Sequence, residues 1–298
     1  MDIQKNIPLA PYTTVKIGGP AQFFIHVQNT PEFLEAIKYS QKNNLPITIL
    51  GNGSNILISD SGIRGIVIKN DSDEIEIISE NKVKISSGTQ ISLAINFLAK
   101  NKLSGLEEFS YIPSSIGGAI YGNIHGFDKT NFSQLIESIE VFNLKTNQIE
   151  TIIPNLSEWI YDFSPLQNQP YLIIISTVLK LKPGNTEDIN QKAKDIYQQK
   201  STKQLINSIG CVFKNIPTET ALKLNIPVST GQIIDQKLNL KGYSIGDAQV
   251  SPLHANFIIN NGHATASDYL KLIKYIQSLA LEKLNLDLEP EIKFLGQF

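Results

Sequence analysis

Ile47-Thr48-Ile49-Leu50-Gly51-Asn52-Gly53-Ser54-Asn55 is an apolar strand that runs directly into a turn of two glycines, a serine and two asparagines. Such a turn aims backbone N–H groups and a hydroxyl at one point, which suits a phosphate. It is not a dinucleotide fingerprint, because Ile56 stands where the third glycine would be, and no Gly-Lys-Ser/Thr follows to make a nucleoside-triphosphate loop. Taken alone, the segment reads equally as a plain glycine turn. Strands are expected around it at Ala21–Val27, Gly65–Lys69, Glu74–Ser79 and Val83–Ser87. A helix from about Pro31 to Lys42, capped by Thr30, carries Phe33, Ala36 and Ile37 as an apolar stripe, and Ile91–Lys102 shows the same spacing.

A second small-residue segment, Ile112-Pro113-Ser114-Ser115-Ile116-Gly117-Gly118-Ala119, lies about sixty residues further on. It offers a flat ligand bare backbone, although a packing glycine pair is as common. Two phosphate-friendly loops in one α+β lobe suggest an extended dinucleotide such as FAD. Strands at Ser138–Asn143, Gln148–Ile153 and Tyr171–Lys182 complete the lobe, and Pro183-Gly184-Asn185 breaks the chain before a polar helix at about Thr186–Gln199. The expected organisation is therefore 1–183 (lobes of about 1–70 and 71–183) followed by 184–298, with the last strand packing back on the first lobe. The second part should hold a strand at Cys211–Lys214, helices near Glu219–Leu224 and Gly231–Leu238, a strand at Asn256–Asn260, and a long helix over Asp268–Asn285. The fold class is α+β.

Bulk properties narrow the partners. The 298 residues are 41% hydrophobic and 18% charged, ordinary for a globular chain of two or three compact parts. A net charge of −2 gives no basic field for nucleic acid. Met1-Asp2-Ile3-Gln4-Lys5-Asn6 lacks the basic start and apolar run of a signal peptide, and Tyr171–Leu179 is too short and too interrupted to span a bilayer. A cytoplasmic monomer acting on a small molecule, with neither nucleic acid nor membrane as partner, is the expectation. Arg64 is the only arginine beside 25 lysines, so a guanidinium fork is available at one place only.

The single cysteine, Cys211, sits in Ser208-Ile209-Gly210-Cys211-Val212-Phe213-Lys214-Asn215. It can form no intrachain disulfide and no zinc site by itself. Two readings remain: a small buried filler, or a proton-handling group beside a glycine that lets a ligand approach. Leu288-Glu289-Pro290-Glu291-Ile292 sets two carboxylates about a proline, which can turn one inward and the other outward. Paired carboxylates are otherwise most often solvated surface charge.

These segments stand in one order with Pro11-Tyr12-Thr13-Thr14, Ile17-Gly18-Gly19-Pro20-Ala21, Gly242-Tyr243, Gly246-Asp247-Ala248-Gln249-Val250-Ser251 and His254-Ala255-Asn256-Phe257. Nearly end to end, the chain resembles the UDP-N-acetylenolpyruvoylglucosamine reductase (MurB) family, in its shorter class that lacks an extra substrate loop. The resemblance implies a two-lobed FAD-binding fold of the PCMH (vanillyl-alcohol-oxidase) type followed by an α+β substrate-binding domain. It implies an FAD-dependent oxidoreductase of peptidoglycan precursor synthesis, with NADPH as co-substrate. NADPH would reduce FAD, hydride would pass to the enolpyruvyl double bond of a UDP-sugar, and the carbon beside the carboxylate would then be protonated. Cys211 takes the proton-donor position and Glu291 that of the assisting carboxylate. Gly51, Asn52, Gly53, Ser54, Asn55, Ile112, Pro113, Ser115, Gly117, Gly118 and Asn123 fall where FAD is held. Tyr161, Ser164, Lys214, Asn215 and His254 fall where the substrate is held, with Lys214 expected on its diphosphate. No metal is implied. An ordinary thiol, of pKa about 8.5, is protonated near neutrality and able to donate.

The resemblance breaks at one chemically important place. The family's Tyr-Arg-x-Ser reads Tyr161-Asp162-Phe163-Ser164 here, a reversal of charge where an enolate needs a cation. The expected compensation is that Asp162 turns to solvent while Lys200 or Lys203 reaches in. The alternative expectation is a flavin-binding paralogue whose reaction is lost or altered. Tyr111 and Ser114 replace family glycines, and Asn123-Ile124-His125 replaces Asn-Ala-Gly. His26 and His125, the histidines of the first part, lie outside both phosphate loops, so FAD is expected to be non-covalent.

Overall fold

The structure, a computed structural model, describes residues 1–201 and 207–298. The chain forms two compact units: 1–4, 23–52 and 65–201 make the first, while 5–22, 53–64 and 202–298 make the second. This division differs from a break at 183/184. Pro183-Gly184 reads as a linker in sequence, yet Gly184 N donates to Lys102 O, and a Cβ on Gly184 would lie 2.8 Å from that of Ser104. The following helix, Thr186–Ser201, buries Ile189 and Ile196, and Thr186 Oγ1 donates to Ala99 O at 2.7 Å. Apolar burial and these ties keep it with the first unit.

The first unit contains an antiparallel five-stranded sheet in the order Gln148–Ile152, Ile136–Asn143, Leu172–Lys180, Lys82–Ser86, Ile75–Ser79. The helices Ile91–Lys100 and Ile116–Gly122 bury Ala94, Leu98, Ala119 and Ile120 in a core shared with Val83, Ile139, Val141 and Leu179 of that sheet. A second core joins Phe142 and Ile173 to Ile25, Ile66 and Ile68 and to Phe33, Ala36 and Ile37 of the helix Thr30–Lys42. There Ile47–Leu50 runs parallel to Ile63–Asn70, so the sheet delivers Leu50 directly into the Gly51 turn. The cap of the helix Thr30–Lys42 is Asn29, whose side chain accepts from Glu32 N, rather than Thr30. Thr30 instead bonds Glu74 through both its N–H and its hydroxyl.

The second unit pairs Ser208–Cys211, Phe257–Asn260, Ala248–Val250 and Ser244–Ile245 in that order. Its first strand lies three residues earlier than Cys211–Lys214, because residues 212–214 leave the sheet to run beside 289–291. The helix expected over Gly231–Leu238 is a short α turn, Thr230–Gln232, followed by a wider π turn, Ile233–Lys237. Val15, Ile17 and Leu57 complete a core otherwise built from residues 209–292, and the terminal strand Lys293–Leu295 pairs in parallel with Ile56–Ile58. Three helices, ending at Gly122, Leu224 and Leu284, stop on left-handed Asn123, Asn225 and Asn285, where asparagine serves in glycine's usual place.

The long helix Ala266–Leu284 starts with unusually complete capping. Thr265 and Asp268 form a reciprocal capping box, while Asp60 accepts from the N–H groups of Ala266 and Ser267 and from the Ser267 hydroxyl. Desolvation raises the Asp60 carboxyl, but the three hydrogen bonds from Ser267 and Ala266 outweigh it and hold its pKa below the ordinary aspartate range. A carboxylate whose folded pKa is depressed stabilises the fold above the unfolded pKa, and that stability is lost as pH falls through the folded value. Asp60→Asn should therefore cost about 1 kcal/mol at neutral pH. The deficit should shrink as acid titrates the wild type below about pH 4, as read by urea unfolding across pH. An equal deficit at every pH would show that charge contributes nothing there.

Candidate active site

In the first unit, Gly51 meets the segment 112–119 at the side chain of Ser115. A Cβ on Gly51 would lie 2.5 Å from Ser115 Oγ, and one on Gly117 would lie 3.0 Å from both the Cβ and the carbonyl of Ser87. Ser115 Oγ accepts from Gly118 N and caps the helix Ile116–Gly122. Ile116 N and Gly117 N donate to Thr89 O and Ser87 O, and Ile91 N donates to Ser114 O. A third small-residue run, Ser86-Ser87-Gly88-Thr89, thus packs against the predicted loop. Sequence reading passed over it, although it follows a strand and is as rich in small polar residues as 51–55. Ile112 is half-buried, while Pro113 and Gly118 are exposed, so the loop offers an accessible edge.

Asn123 faces the other way. It is fully buried, with Nδ2 donating to Ile160 O at 2.8 Å and Oδ1 accepting from Ser133 N at 3.1 Å. Both ends of its amide brace backbone. Ser164 is buried as well, its hydroxyl donating to Tyr121 O at 2.7 Å. Tyr161 is half exposed and packs against the His125 ring, with centroids 4.6 Å apart and planes tilted by 30°. Asp162 does not turn to solvent: its side chain is only 12% exposed, and Oδ1 lies 3.2 Å from His125 Nδ1. Lys200 Nζ lies over the rings of Tyr111 and Phe127, at 5.3 and 5.2 Å; Lys203 lies outside the described residues.

In the second unit, Gly53 adopts φ +62°, and a Cβ there would sit 2.3 Å from Tyr12 O, so only glycine fits. Gly53 O in turn accepts from Thr14 N. Ser54 is half-buried and Asn55 exposed.

Cys211 ends its strand half-buried, paired with Phe257 across the sheet. Before it, Gly210 takes φ +80°, with open space where a side chain would stand. Val212 O accepts from Glu291 N at 2.8 Å, and Lys214 N donates to Glu289 O at 3.0 Å, so Cys211 and Glu291 enter from adjacent segments. Glu289 is exposed and Glu291 half-buried on either side of Pro290. Lys214 Nζ pairs with Glu289 Oε1 at 2.5 Å, so its charge is offset at the surface. Asn256, not anticipated from sequence, clamps the turn after Cys211: it accepts from Phe213 N and donates to Phe213 O. Asn215 is exposed, with Oδ1 accepting from Thr230 N at 3.3 Å. The His254 ring lies 4.6 Å from that of Phe257, and a Cβ on Gly231 would come within 3.3 Å of its Cε1.

A family model described as an FAD binding domain matches residues 21–151, which include Gly51, residues 86–89 and residues 112–119. Bare backbone with hydroxyls at hand fits that cofactor, and the chain is accordingly an α+β flavoprotein with an FAD-binding domain and a C-terminal domain. A second model, for the UDP-N-acetylenolpyruvoylglucosamine reductase C-terminal domain, matches residues 199–295. The reductase of that name from Caldanaerobacter subterraneus is 35% identical over 98% of this chain and 93% of its own length. The one from Listeria monocytogenes is 35% identical over 99% and 95%. The crystal structure of the Thermus caldophilus reductase superposes with a TM-score of 0.81 at 30% identity, over 99% of this chain and all of that one. The chain belongs to the UDP-N-acetylenolpyruvoylglucosamine reductase family and is an FAD-dependent oxidoreductase. Among the described residues, no helix is long and apolar enough to cross a membrane.

Proposed function

We propose that the chain reduces UDP-N-acetylglucosamine enolpyruvate to UDP-N-acetylmuramate for peptidoglycan precursor synthesis, with NADPH as the reductant and non-covalent FAD between them. The observation that carries this reading is the backbone pairing of 212–214 with 289–291, which brings the segment that follows the one thiol beside the segment of Glu291. FAD, when bound, supplies the two-electron carrier between nicotinamide and the enolpyruvyl double bond.

The protein's own groups do the rest. Gly51, Asn52, Ile112, Pro113, Ser115, Gly117 and Gly118 hold the cofactor through backbone and hydroxyl in the first unit, joined by Ser87 and Thr89; Gly53, Ser54 and Asn55 do so in the second. Asn123 serves by bracing this loop. Addition at the far carbon of the double bond leaves negative charge on the carbon beside the carboxylate. Cys211 Sγ–H delivers a proton to that carbon, while Glu291 favours the neutral thiol until it is needed. His254 and Asn215 line the substrate, Tyr161 bounds it, and Ser164 fixes the Tyr161 segment from behind. Lys214 leaves Glu289 for the diphosphate when the nucleotide arrives, an exchange made easy by the small worth of an exposed ion pair.

Anaerobic stopped-flow tests the reading. NADPH should bleach the yellow protein, and the enolpyruvyl sugar nucleotide should restore its colour within a turnover. Bleaching without restoration would favour the alternative, a flavin-binding paralogue with another substrate, for which the acidic Asp162 is the motive.

A further inference from the structure

Where residues 212–214 leave the sheet, their backbone gives up its ladder, and every peptide group it buries still needs a partner. All six of those groups have one. Val212 N donates to Asn256 O at 2.8 Å, and Val212 O accepts from Glu291 N at 2.8 Å. Phe213 N donates to Asn256 Oδ1 at 3.0 Å, and Phe213 O accepts from Asn256 Nδ2 at 2.8 Å. Lys214 N donates to Glu289 O at 3.0 Å, and Lys214 O accepts from Thr230 Oγ1 at 2.5 Å. Asn256 thus supplies three of the six partners. Its side-chain amide stands beside Phe213 as a neighbouring strand's peptide does, one acceptor and one donor together. Asn256 is only 3% exposed, so water does not compete for these bonds.

The chain before Cys211 is irregular. The pairing register slips between Ser208 and Cys211, and Gly210 within that bulge takes φ +80° with no atom within 4 Å of where a Cβ would stand. Cys211 itself is paired with Phe257, the residue after Asn256. The two ties that locate Cys211 from across the sheet, this pairing and the clamp on the next two residues, therefore both come from 256–257.

Building on the reductase reading, we propose that Asn256 is a positioning residue for proton delivery: it holds the Cys211 thiol on one face of the carbon to be protonated and so sets the configuration of the product. Hydride from the NADPH-reduced flavin adds to the far carbon of the double bond, and the electron pair moves onto the carbon beside the carboxylate. The Sγ–H proton goes to that carbon, leaving a thiolate that regains a proton from solvent. The flavin is oxidised and the double bond reduced. With the thiol out of place, water supplies the same proton from either face and is left as hydroxide. Asn256 acts only through the cysteine, so its removal costs no more than removal of the thiol itself.

Asn260, at the end of the same strand, is the matched comparison. It is 5% exposed and equally spent on backbone: Oδ1 accepts from Gly262 N and Ala264 N, and Nδ2 donates to Val15 O. None of these partners belongs to 208–215.

The test uses the FAD-loaded enzyme, NADPH and the enolpyruvyl UDP-sugar, and reads flavin reoxidation together with the configuration of the lactyl ether carbon formed. Wild type should give one configuration. Asn256→Ala should keep flavin content and reduction by NADPH, slow reoxidation at saturating substrate about 100-fold, and release both configurations. In a Cys211→Ala background the same change should alter reoxidation less than threefold, because no thiol is left to position. Asn260→Ser should lower the unfolding midpoint yet leave the product in one configuration. If Asn256→Ala does not fold, Asn256→Ser, which keeps a small polar group at the clamp, must show the mixed product. A single configuration from the folded Asn256 variant, a slowing undiminished in the Cys211→Ala background, or mixed product from Asn260→Ser would each overturn the assignment. Failure of the reductase reading itself is a separate outcome, in which the wild type shows no reoxidation by this substrate.

Discussion

Cys211→Ala should bind FAD and be reduced by NADPH at the wild-type rate, yet return electrons to the enolpyruvyl substrate about a thousandfold more slowly. A positioned general acid contributes roughly 10²–10⁴ in rate, and a factor of 10³ corresponds to about 4 kcal/mol in the barrier. Structural damage is not expected to confuse the result. Cys211 is half-buried at a strand end, so removing its sulfur opens no sealed cavity, and Asn256 still clamps the following turn. Cys211→Ser, which keeps an exchangeable proton at the same place, should retain most of the rate. Glu291→Gln should fall between the two. Equal reoxidation in Cys211→Ala and the wild type would remove the thiol from the mechanism and return it to the role of a small packing residue.

The second large effect belongs to the cofactor. Gly51→Val should yield colourless, folded protein. A Cβ at Gly51 already falls 2.5 Å from Ser115 Oγ and 3.4 Å from Ser115 Cβ, and a branched side chain cannot be absorbed by turning one hydroxyl. Relief requires Ser115 to withdraw, which gives up its bond from Gly118 N and shifts the glycine pair behind it. Flavin retained after gel filtration should fall at least tenfold, while far-ultraviolet circular dichroism stays unchanged. Full flavin occupancy in this variant would mean that the cofactor does not rest on the Gly51 and Ser115 backbones.

Much of the architecture was legible because it rests on local pattern. The apolar runs at 21–27 and 65–69 and the stripe of Phe33, Ala36 and Ile37 report their structure within a few residues. What stayed hidden depends on partners far along the chain. The strand Ile56–Ile58 is too short to read as one until Lys293–Leu295 lies beside it. Residues 212–214 look like a continuing strand, since nothing nearby signals that their partner is 289–291. At the site, the reversed charge at position 162 was visible but the hydrogen-bond partner of Asp162 was not. His125 lies 37 residues away, in a segment whose spacing carries no sign of pairing with it. Asn123 and Ser164, which only the family resemblance singled out, are both buried and bonded to backbone, a placement that residue type alone does not foretell.

The interleaved make-up of the second unit bears on how the chain is born. On a ribosome adding roughly 5–20 residues per second, Val15, Ile17 and Leu57 emerge early, yet the core that covers them is made of residues 209–292. The partner strand for Ile56–Ile58 is among the last segments synthesised. For some tens of seconds, then, the nascent protein must carry three core residues and an unpaired strand without cover. A C-terminal fragment cut at 184 or 202 would meet the complementary problem, a hydrophobic hole where those three side chains belong. It should be insoluble alone and rescued by co-expression with a segment that supplies 5–22 and 53–64. Independent domain swapping between relatives would have to exchange all three pieces together.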